Sequence, residues 1–540
     1  MKRILFFATL LMLIVCSSAN ATLWVRNGNF FMRFFDLNEG NGLELVRYYN
    51  SVGYEKSIFG YGWGTTLGPK LYSINGMVTI EELSGGGKSH FIDKKVDTIS
   101  SVVDRAIKSA EISGQGGDYA VKLKQYLLQD LNSLFEFAKK HGLYGYVPKE
   151  GAQLSCIERS AEKLTKIRGG YAREKVDSTV DLFDDSGRIV RQKMKSGRFF
   201  VYTYDQRGNL DSIKDQLGRW MKFYFSDQGL LQKIVLFNNK ITEYKYNDKG
   251  DLIEARDTAG HVYTYKYNNY HKLTEVVLPS EKGTSAVSRI IVRYQDNTGR
   301  AIYQKTEDGW ETFLEFSEDK DKNQNYESVN VIKKFGKQAF SEKYEYWKRP
   351  RPDGSFYDYK IRETAANGKQ KTTVYTMCCS TPLVISDGDK ITRFEYNAKG
   401  LLNKKVYPDG RIIEVKYDSK DRVESVLNNG VAYKFGYNQL SQLSMAGTKM
   451  FSFAMEYDGN GNLSKIQDSR GYSFGLKYDQ KGRLSELVSK YGSLVFNYKY
   501  SSEEPEITTK GNVSEKAWEI RRVYQDYIDT VMVYSLTTLM

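Results

Sequence analysis

Apolar and polar residues alternate in many short segments of this chain. Phe200, Tyr202 and Tyr204 occupy alternate positions, and the next four residues, ending in Gly208, interrupt the pattern. An apolar run then resumes at Leu210. A period of two places every second side chain on the same face of a strand. The pattern therefore predicts two antiparallel strands joined by a tight turn.

This unit recurs at a nearly fixed interval. In most copies an aromatic residue is followed by Gly four positions later and by Leu six positions later. The intervals are 21 residues in a first block and 20 or 21 in a second block. The aromatic positions are Phe183, Tyr204, Phe225, Tyr246 and Tyr267, and then Tyr396, Tyr417, Tyr437, Tyr457, Tyr478 and Tyr498. Such self-similarity indicates a repeat architecture.

The turn residues fit one hairpin per repeat. Asp at the first turn position can accept hydrogen bonds from backbone N–H groups, and Gly three residues later accepts a positive φ. The copies that lack this Gly carry His271, Asp421 or Ser441. A second set of turns is expected near Gly197, Gly218, Asn239 and Gly260. We predict a mainly β fold, in which serial antiparallel hairpins form a long curved sheet or open shell with a small helical insertion.

The chain divides into segments where this pattern starts, loosens and stops. An apolar stripe at helical spacing between Tyr119 and His141 predicts one inserted helix. The tail has apolar residues at helical spacing from Ile520 to Val531, although a strand is an alternative there. The expected segments are a signal peptide (1–21), an N-terminal β module (22–92), a partly helical insertion (93–170), a first repeat block (171–279), irregular β repeats (280–390), a second repeat block (391–504) and a C-terminal tail (505–540).

The N-terminus has the features of a secretory signal. Lys2 and Arg3 precede an apolar run, and Ala19 and Ala21 form a small-x-small cleavage site. The run is too short to span a bilayer. Lipid attachment at Cys16 is the alternative, but Val15 before it is larger than the residue usually found there. We expect a protein exported to the periplasm, the cell surface or the medium.

The charge and the cysteine content limit the class of partner and the disulfide pairing that we expect. The formal net charge is +13, and removal of the leader with its two basic residues leaves +11. The basic residues are scattered among acidic ones, which favours solvated sheet faces over a nucleic-acid surface. Cys156, Cys378 and Cys379 remain after export, so at least one is unpaired or pairs between molecules. Buried structural thiols are the favoured interpretation.

The repeat residues resemble the Rhs/YD-repeat family, whose consensus is Tyr-Asp-x-x-Gly-x-Leu. The matching residues are Tyr204, Asp205, Gly208, Leu210, Tyr246, Gly250, Leu252, Tyr417, Asp418, Tyr457, Asp458, Gly461, Leu463, Tyr478, Asp479, Gly482 and Leu484. The opening module also resembles the N-terminal region of that family. Its matching residues are Arg47, Tyr48, Asn50, Ser51, Gly60, Gly62 and Trp63.

The resemblance implies a long β-sheet that coils into a hollow shell. Large members of the family enclose a C-terminal toxin, which an aspartate-based cleavage in an Asp-Pro-x-Gly motif releases. This chain has no such motif, and about 40 residues follow its last repeat, which is short for an enzyme domain. We therefore do not expect a toxin that acts alone.

The sequence does not predict catalytic chemistry. Four histidines occur, and none is placed as His-x-x-x-His or beside a cysteine, so we expect no metal site, no cofactor and no enzyme activity. The motif tyrosines are either core residues bonded to the backbone or rings that stack on sugars, and their single register favours the core. The predicted function is an exported scaffold that binds or shields something at the cell envelope or outside the cell. Alternatives are a carbohydrate-binding protein and a remnant toxin-delivery shell around a separately encoded polypeptide.

Overall fold

The computed structural model describes residues 20–535 with gaps. The gaps are 39–42, 54–55, 83–86, 111–116, 160–161, 176–178, 195–197, 280–287, 319–325, 353–355, 378–380, 440–441, 459–461, 479–483, 491, 498–505 and 511–516. Several predictions fall outside the described residues. They concern residues 1–19 of the expected leader, the cysteines Cys378 and Cys379, and the turn residues Gly197 and Ser441.

Two small sheets near the N-terminus form the part that we call the N-terminal plug. Its strands are β1 (Asn20–Trp24), β2 (Asn29–Asn38), β3 (Glu44–Asn50), β4 (Lys56–Ser57), β5 (Gly60–Tyr61) and β6 (Trp63–Thr65). The strands β1, β2, β3 and β6 pair in that order, and β4 pairs with β5. Alternating buried residues such as Phe30, Met32 and Phe34 make β2 apolar on one face.

All remaining strands of the described chain join one antiparallel sheet of 36 strands. Its first part is β7 (Lys70–Ile74), β8 (Met77–Glu81), β9 (Lys88–Ile92), β10 (Gln153–Cys156), β11 (Lys163–Ile167), β12 (Gly170–Glu174), β13 (Val180–Asp184), β14 (Ile189–Lys193), β15 (Phe199–Tyr204), β16 (Leu210–Asp215), β17 (Trp220–Phe225), β18 (Leu231–Leu236), β19 (Ile241–Tyr246), β20 (Leu252–Arg256), β21 (Val262–Tyr267), β22 (Leu273–Val277), β23 (Arg289–Tyr294) and β24 (Ala301–Lys305).

The second part continues in chain order, each strand paired with the one before it. Its strands are β25 (Glu311–Glu318), β26 (Tyr326–Phe335), β27 (Gln338–Pro350), β28 (Phe356–Thr364), β29 (Gln370–Tyr375), β30 (Pro382–Asp387), β31 (Lys390–Tyr396), β32 (Leu402–Val406), β33 (Ile412–Tyr417), β34 (Val423–Asn428), β35 (Val431–Tyr437), β36 (Leu443–Gly447), β37 (Ser452–Tyr457), β38 (Leu463–Asp468), β39 (Ser473–Tyr478), β40 (Leu484–Ser489), β41 (Gly492–Asn497) and β42 (Glu506–Lys510). The predicted mainly β fold of serial antiparallel hairpins is confirmed.

The helical insertion differs from the prediction of one helix over 119–141. The described helices there are α1 (Ile99–Ser109), α2 (Gly117–Gln129) and α3 (Leu131–Lys140). Asp130 breaks the predicted helix because it takes an extended conformation and its carboxylate accepts the N–H groups of Asn132 and Ser133, which caps α3. The prediction of a single continuous helix was wrong. Tyr126 of the predicted apolar stripe is exposed, whereas Phe135 is buried.

The described helices account for residues 99–109, 117–129 and 131–140 of the segment expected to be an insertion, and β10 and β11 of the same segment already belong to the large sheet. The tail forms α4 (Ala517–Ser535), so it is helical over these residues. The described helices include none that is long and apolar enough to cross a membrane. Arg349 and Pro350 end β27 and pair with β28.

The sheet curves around the N-terminal plug. The plug reaches β18, where Leu231 donates its N–H to the Ile58 carbonyl, and it reaches β28, where Arg26 pairs with Asp358 at 3.0 Å. In a flat sheet the ten strand spacings between β18 and β28 would separate these contacts by about 48 Å. A module of four strands spans roughly 15 Å between its outer strands, so the sheet must wrap around it.

The start of the sheet closes a ring with its own later part. Lys70 in β7 bridges to Arg188, and the Leu71 N–H bonds the Gly187 carbonyl at 2.8 Å. Gly187 has a φ of +75°, and a Cβ there would lie 2.0 Å from the Leu71 carbonyl oxygen. Only glycine fits both this backbone conformation and this approach. The turn between β13 and β14 therefore serves as the closure point of the ring.

Candidate functional site: the inner face of the sheet

One face of the sheet receives both of the packed modules, and we call it the inner face. It carries the repeat aromatic and the residues two and four positions before it. In the first block, Tyr263 and Tyr265 on this face contact Phe34 of the N-terminal plug, with ring centroids 5.3 and 5.8 Å apart. In the second block, Phe453 on the same face meets Tyr527 of α4 at 5.5 Å. The shared register places both modules on the same side of the sheet.

The repeat tyrosines bond the backbone of the preceding hairpin. Each hydroxyl donates to the carbonyl of the residue that begins the preceding strand, at 2.7 to 2.9 Å. The pairs are Tyr204 with Ile189, Tyr246 with Leu231, Tyr267 with Leu252, Tyr294 with Leu273, Tyr396 with Pro382, Tyr417 with Leu402, Tyr437 with Val423, Tyr457 with Leu443 and Tyr478 with Leu463. In eight of these nine pairs the acceptor lies six residues after the aromatic of the previous repeat. The aromatic and the Leu of the motif are thus partners across neighbouring repeats.

Burial keeps these tyrosines neutral. Burial raises the pKa of Tyr478 to about 12, and burial also raises the pKa of Tyr204, Tyr246 and Tyr267 above the ordinary value of 10. An ionised phenolate could not donate the hydrogen bond to the carbonyl. The rings lie half-buried on the inner face, and their hydroxyls face the backbone. They are therefore placed for packing between hairpins.

The Asp and Gly of the motif form the turn. The Asp205 carboxylate accepts the Asn209 N–H at 2.8 Å, and Gly208 takes a φ of +83°. These bonds lower the pKa of Asp205, with the Asn209 side chain as the main cause. In β15 the register shifts between Thr203 and Tyr204, so each turn is followed by a β-bulge. Asp418 makes the same bond to the Arg422 N–H at 3.0 Å.

The other described motif residues lie either in the hairpin turns or in the core clusters. Gly250 has a φ of +84°, and the leucines Leu210 and Leu252 are buried in the first core cluster. His271 and Asp421 occupy the Gly position with φ of +60° and +57°. Leu463 and Leu484 pack against the second core cluster. Asp458 lies at a turn whose Gly461 is outside the described residues, as are Asp479, Gly482 and Tyr498.

Arg47 anchors the N-terminal plug to the inner face. Its guanidinium is fully buried, pairs with both carboxylate oxygens of Asp36 at 2.8 and 3.0 Å, and donates to the Tyr265 hydroxyl at 2.9 Å. Tyr244 donates to the same carboxylate at 2.8 Å. Burial opposes the charge, but Asp36 outweighs it and the pKa of Arg47 is raised well above its ordinary value. The plug and the first block thus share one buried charge network.

The other predicted residues of the module surround this anchor. The Trp63 indole N–H donates to the Tyr267 hydroxyl at 2.8 Å. Ser51 accepts the Phe30 N–H and donates to Asn29 within the plug. Asn50 is buried, whereas Tyr48 is half-buried beside Phe31. The structure brings Arg47 and Trp63 of this module to the first repeat block, a contact that the sequence did not predict.

Two glycines of the plug have separate structural roles. Gly60 has a φ of +91°, and a Cβ there would lie 2.6 Å from the Gly250 carbonyl oxygen in the first block. Gly62 has a φ of +73° and lies against the Tyr49 ring. The plug therefore approaches the repeat turns closely at the backbone. The partners Asp36, Tyr244 and Tyr265 were missed by sequence analysis, and only the inward register of the two tyrosines could have indicated them.

The C-terminal helix covers part of the second block. Val523, Tyr527 and Val533 of α4 are buried against the repeat strands. Arg470 pairs with Asp526 at 3.0 Å and with Asp468 at 2.6 Å. Burial lowers the pKa of Arg198 in the first block, and the charge of Asp458 in the second block opposes this shift, so the two blocks lie near each other at these residues. The helix and the plug thus cover different parts of one curved inner face.

Between these covers lies a stretch that is only half-buried, which we call the open stretch (β28 to β31). All residues of these four strands are described, and only Thr373 and Phe394 among them are buried. Register places Glu363, Lys371, Thr373, Tyr375 and Asp387 on the inner face, together with Ile361 and Ile385. Lys371 lies 3.6 Å from Glu363. Polar and charged side chains therefore mix with apolar ones on the interior here, unlike the mainly apolar interior of the first block.

A cysteine, a histidine and a glutamate lie together near β9 and β10. Glu158 accepts from the His90 ring at 2.5 Å, and the Cys156 thiol donates to it at 3.4 Å. Burial, followed by the charge of Glu158, raises the pKa of Cys156 to about 12. A thiol with this pKa stays protonated and is a poor nucleophile at neutral pH. The arrangement matches a buried structural cysteine, which is free in this structure.

Comparison with known families identifies the repeats. The Teneurin YD-shell model matches residues 383–528, and the RHS Repeat model matches residues 246–281. The two matches fall on the second and first repeat blocks, where each hairpin carries the motif described above. These parts of the chain carry Rhs/YD repeats of the kind that the two models describe, as the sequence predicted. No curated protein matches it.

Solved structures provide distant similarities. The crystal structure of TcdB2-TccC3-TEV has 13% identity over 90% of this chain and 29% of that chain, with a TM-score of 0.39. The Photorhabdus luminescens Tc holotoxin pore has 11% identity over 89% of this chain and 27% of that chain, with a TM-score of 0.36. This chain spans less than a third of the length of either.

Proposed function

We propose that this protein is a non-enzymatic shell scaffold, exported through its N-terminal leader, that binds or shields a partner at the cell envelope or outside the cell. The open stretch is the observation that carries the proposal. The plug reaches β28 at the edge of this stretch, α4 covers part of the second block, and an interior surface with polar and charged side chains is left on β29 to β31. Buried apolar surface would have stabilised the shell more, so a polar lining there costs stability and favours a role in contact with a partner.

A separately encoded polypeptide is the partner that this lining favours. Its half-buried and exposed side chains include both signs of charge and Tyr375, which can exchange hydrogen bonds and packing contacts with a polypeptide. The motif tyrosines do not favour a sugar-stacking role, because their hydroxyls bond the backbone and their rings pack between hairpins. The shell would therefore hold its partner through the open stretch.

Export is tested by sequencing the N-terminus of the protein recovered outside the cytoplasm. We expect a mature chain that begins at Thr22, and a matched variant with Ala19 and Ala21 replaced by Arg should keep its leader. Recovery of the unprocessed chain from the cytoplasm alone would contradict the proposal. A lipid-modified N-terminus at Cys16 would instead establish anchoring.

Partner binding is tested on the same recovered protein. Native mass spectrometry should detect the mature chain together with a second polypeptide, which dissociates when the shell is unfolded. The substitutions Lys371→Ala and Tyr375→Ala in the open stretch should reduce its recovery. Matched substitutions on the opposite face of the same strand, Thr372→Ala and Val374→Ala, should leave it unchanged.

A further inference from the structure

The outer face of β26 to β28 carries aromatic rings interleaved with basic side chains. Trp347 lies opposite Tyr326 in β26 and Lys360 in β28. Tyr346, the preceding residue, packs on the inner side against Leu23 and Val25 of the plug. Since side chains alternate along a strand, Trp347 and its neighbours point outward. We call Tyr326, Trp347, Arg349, Tyr359, Lys360 and Arg362 the basic–aromatic patch.

The rings hold the cations in fixed positions. The Lys360 ammonium lies 3.8 Å from the Trp347 ring centroid, and the Arg349 guanidinium lies 3.8 Å from that of Tyr359. Arg362 lies 5.3 Å from the Trp347 ring. Stacking of this kind orders the side chain while its N–H groups remain at the edge. The patch is therefore a preorganised set of donors.

Positive charge exceeds negative charge in the patch. Glu345 is the acidic residue at its centre, and it already accepts from the Tyr326 hydroxyl at 2.7 Å. Lys343 lies 3.3 Å from the same carboxylate, and Arg362 lies 3.8 Å from it. Arg349 and Lys360 stack on rings, and Arg349 is exposed to solvent. The excess charge attracts a partner that bears regularly spaced anions.

We propose that the basic–aromatic patch binds an anionic polysaccharide. Cations on adjacent strands and at alternate positions of one strand repeat every 5 to 7 Å approximately, so a chain with a carboxylate or phosphate on each sugar can contact several at once. Nucleic acid fits less well because base stacking needs ring faces that Lys360 and Arg349 already occupy. This inference rests on the proposed location at the envelope and adds a ligand on the outer face.

The test uses the full mature chain and polygalacturonate, which carries one carboxylate per sugar. The variant Arg349→Gln/Lys360→Gln should bind about tenfold more weakly, since two charged contacts are lost. The matched control Lys245→Gln/Lys266→Gln removes two outer-face lysines of the first block, which pair with Glu254 and Glu275. We expect less than about a twofold change in that control.

Further ligands separate the alternatives. Neutral dextran should not bind, and binding of polygalacturonate should weaken with added salt. Equal binding by the patch variant and the unaltered chain would overturn the proposal. Tighter binding of single-stranded oligo-dT or of phosphatidylglycerol vesicles than of polygalacturonate would also overturn it, because each identifies another class of ligand.

A second measurement applies if the double variant does not fold. Polygalacturonate should change the fluorescence of Trp347, which lies under Lys360. The contribution of Trp347 is obtained by subtracting the fluorescence change of Trp347→Phe from that of the unaltered chain. Phenylalanine keeps an aromatic ring at this position, so the variant should keep the fold. Absence of this difference at saturating polygalacturonate would contradict the patch as the binding site. The result is independent of leader cleavage and of any polypeptide inside the shell, so it can fail while the proposed function stands.

Discussion

The hydrogen bond between neighbouring repeats can be tested at Tyr478. Its hydroxyl donates to the Leu463 carbonyl at 2.7 Å, and its ring is half-buried against the second core. Tyr478→Phe removes only the hydroxyl, so the expected loss is about 1 kcal/mol, the net contribution of one such bond. Tyr478→Ala also removes the packed ring. We expect a loss of about 2 to 3 kcal/mol, less than for a fully buried aromatic.

The loss should be local, because each hairpin contacts mainly its neighbours. Hydrogen exchange measured by mass spectrometry should therefore show faster exchange in β38 and β39, with β15 to β18 unchanged. The matched control is Tyr224→Phe, since Tyr224 lies exposed on the outer face. That control should change stability by less than about 0.5 kcal/mol. Equal exchange in Tyr478→Phe and in the unaltered chain would refute the role of the hydroxyl in joining hairpins.

Three further outcomes are expected. Gly208→Val places a β-branched residue at a φ of +83°, so the hairpin should lose about 1 to 3 kcal/mol, detected as faster exchange in β15 and β16; unchanged exchange would contradict this. Arg47→Met leaves the Asp36 carboxylate buried without its partner and should cost about 3 to 5 kcal/mol in thermal melts, part of which Arg47→Met/Asp36→Leu should regain. The pKa of Tyr478 is raised to about 12, so its stabilising contribution is complete below pH 10 and is lost as the pH rises through 12; the tyrosinate absorbance that the unaltered chain shows in excess of Tyr478→Phe should appear together with the loss of circular dichroism, and appearance of that difference near pH 10 with an intact sheet would contradict it.

The hairpins could be predicted from the sequence because their signals are local. Alternation fixes the strand face, and the Asp and Gly of the motif fix the turn, so Asp205 and Gly208 occupy the conformations that their residue types favour. The fixed interval then repeats this geometry. The break at Asp130 was missed because the apolar stripe continues across it, and the capping role of its carboxylate outweighed the periodicity.

Contacts between distant segments could not be predicted. Arg47 meets Asp36 and Tyr265, which is 218 positions away, and no local pattern encodes such a pairing. The same holds for the open stretch, whose polar inner face depends on where the plug and α4 end. The hydrogen bond between the Tyr478 hydroxyl and the Leu463 carbonyl could have been predicted, because the aromatic and the Leu of the motif recur with the same period.

The most direct test of the shell account is photo-crosslinking from the open stretch. A p-benzoylphenylalanine in place of Tyr375 would face the interior, and the same group in place of Val374 would face outward. In the exporting organism we predict a covalent adduct with a separate polypeptide from position 375, protected from added protease, and none from position 374. No adduct at 375, or equal adducts at both positions, would contradict a partner held on the inner face.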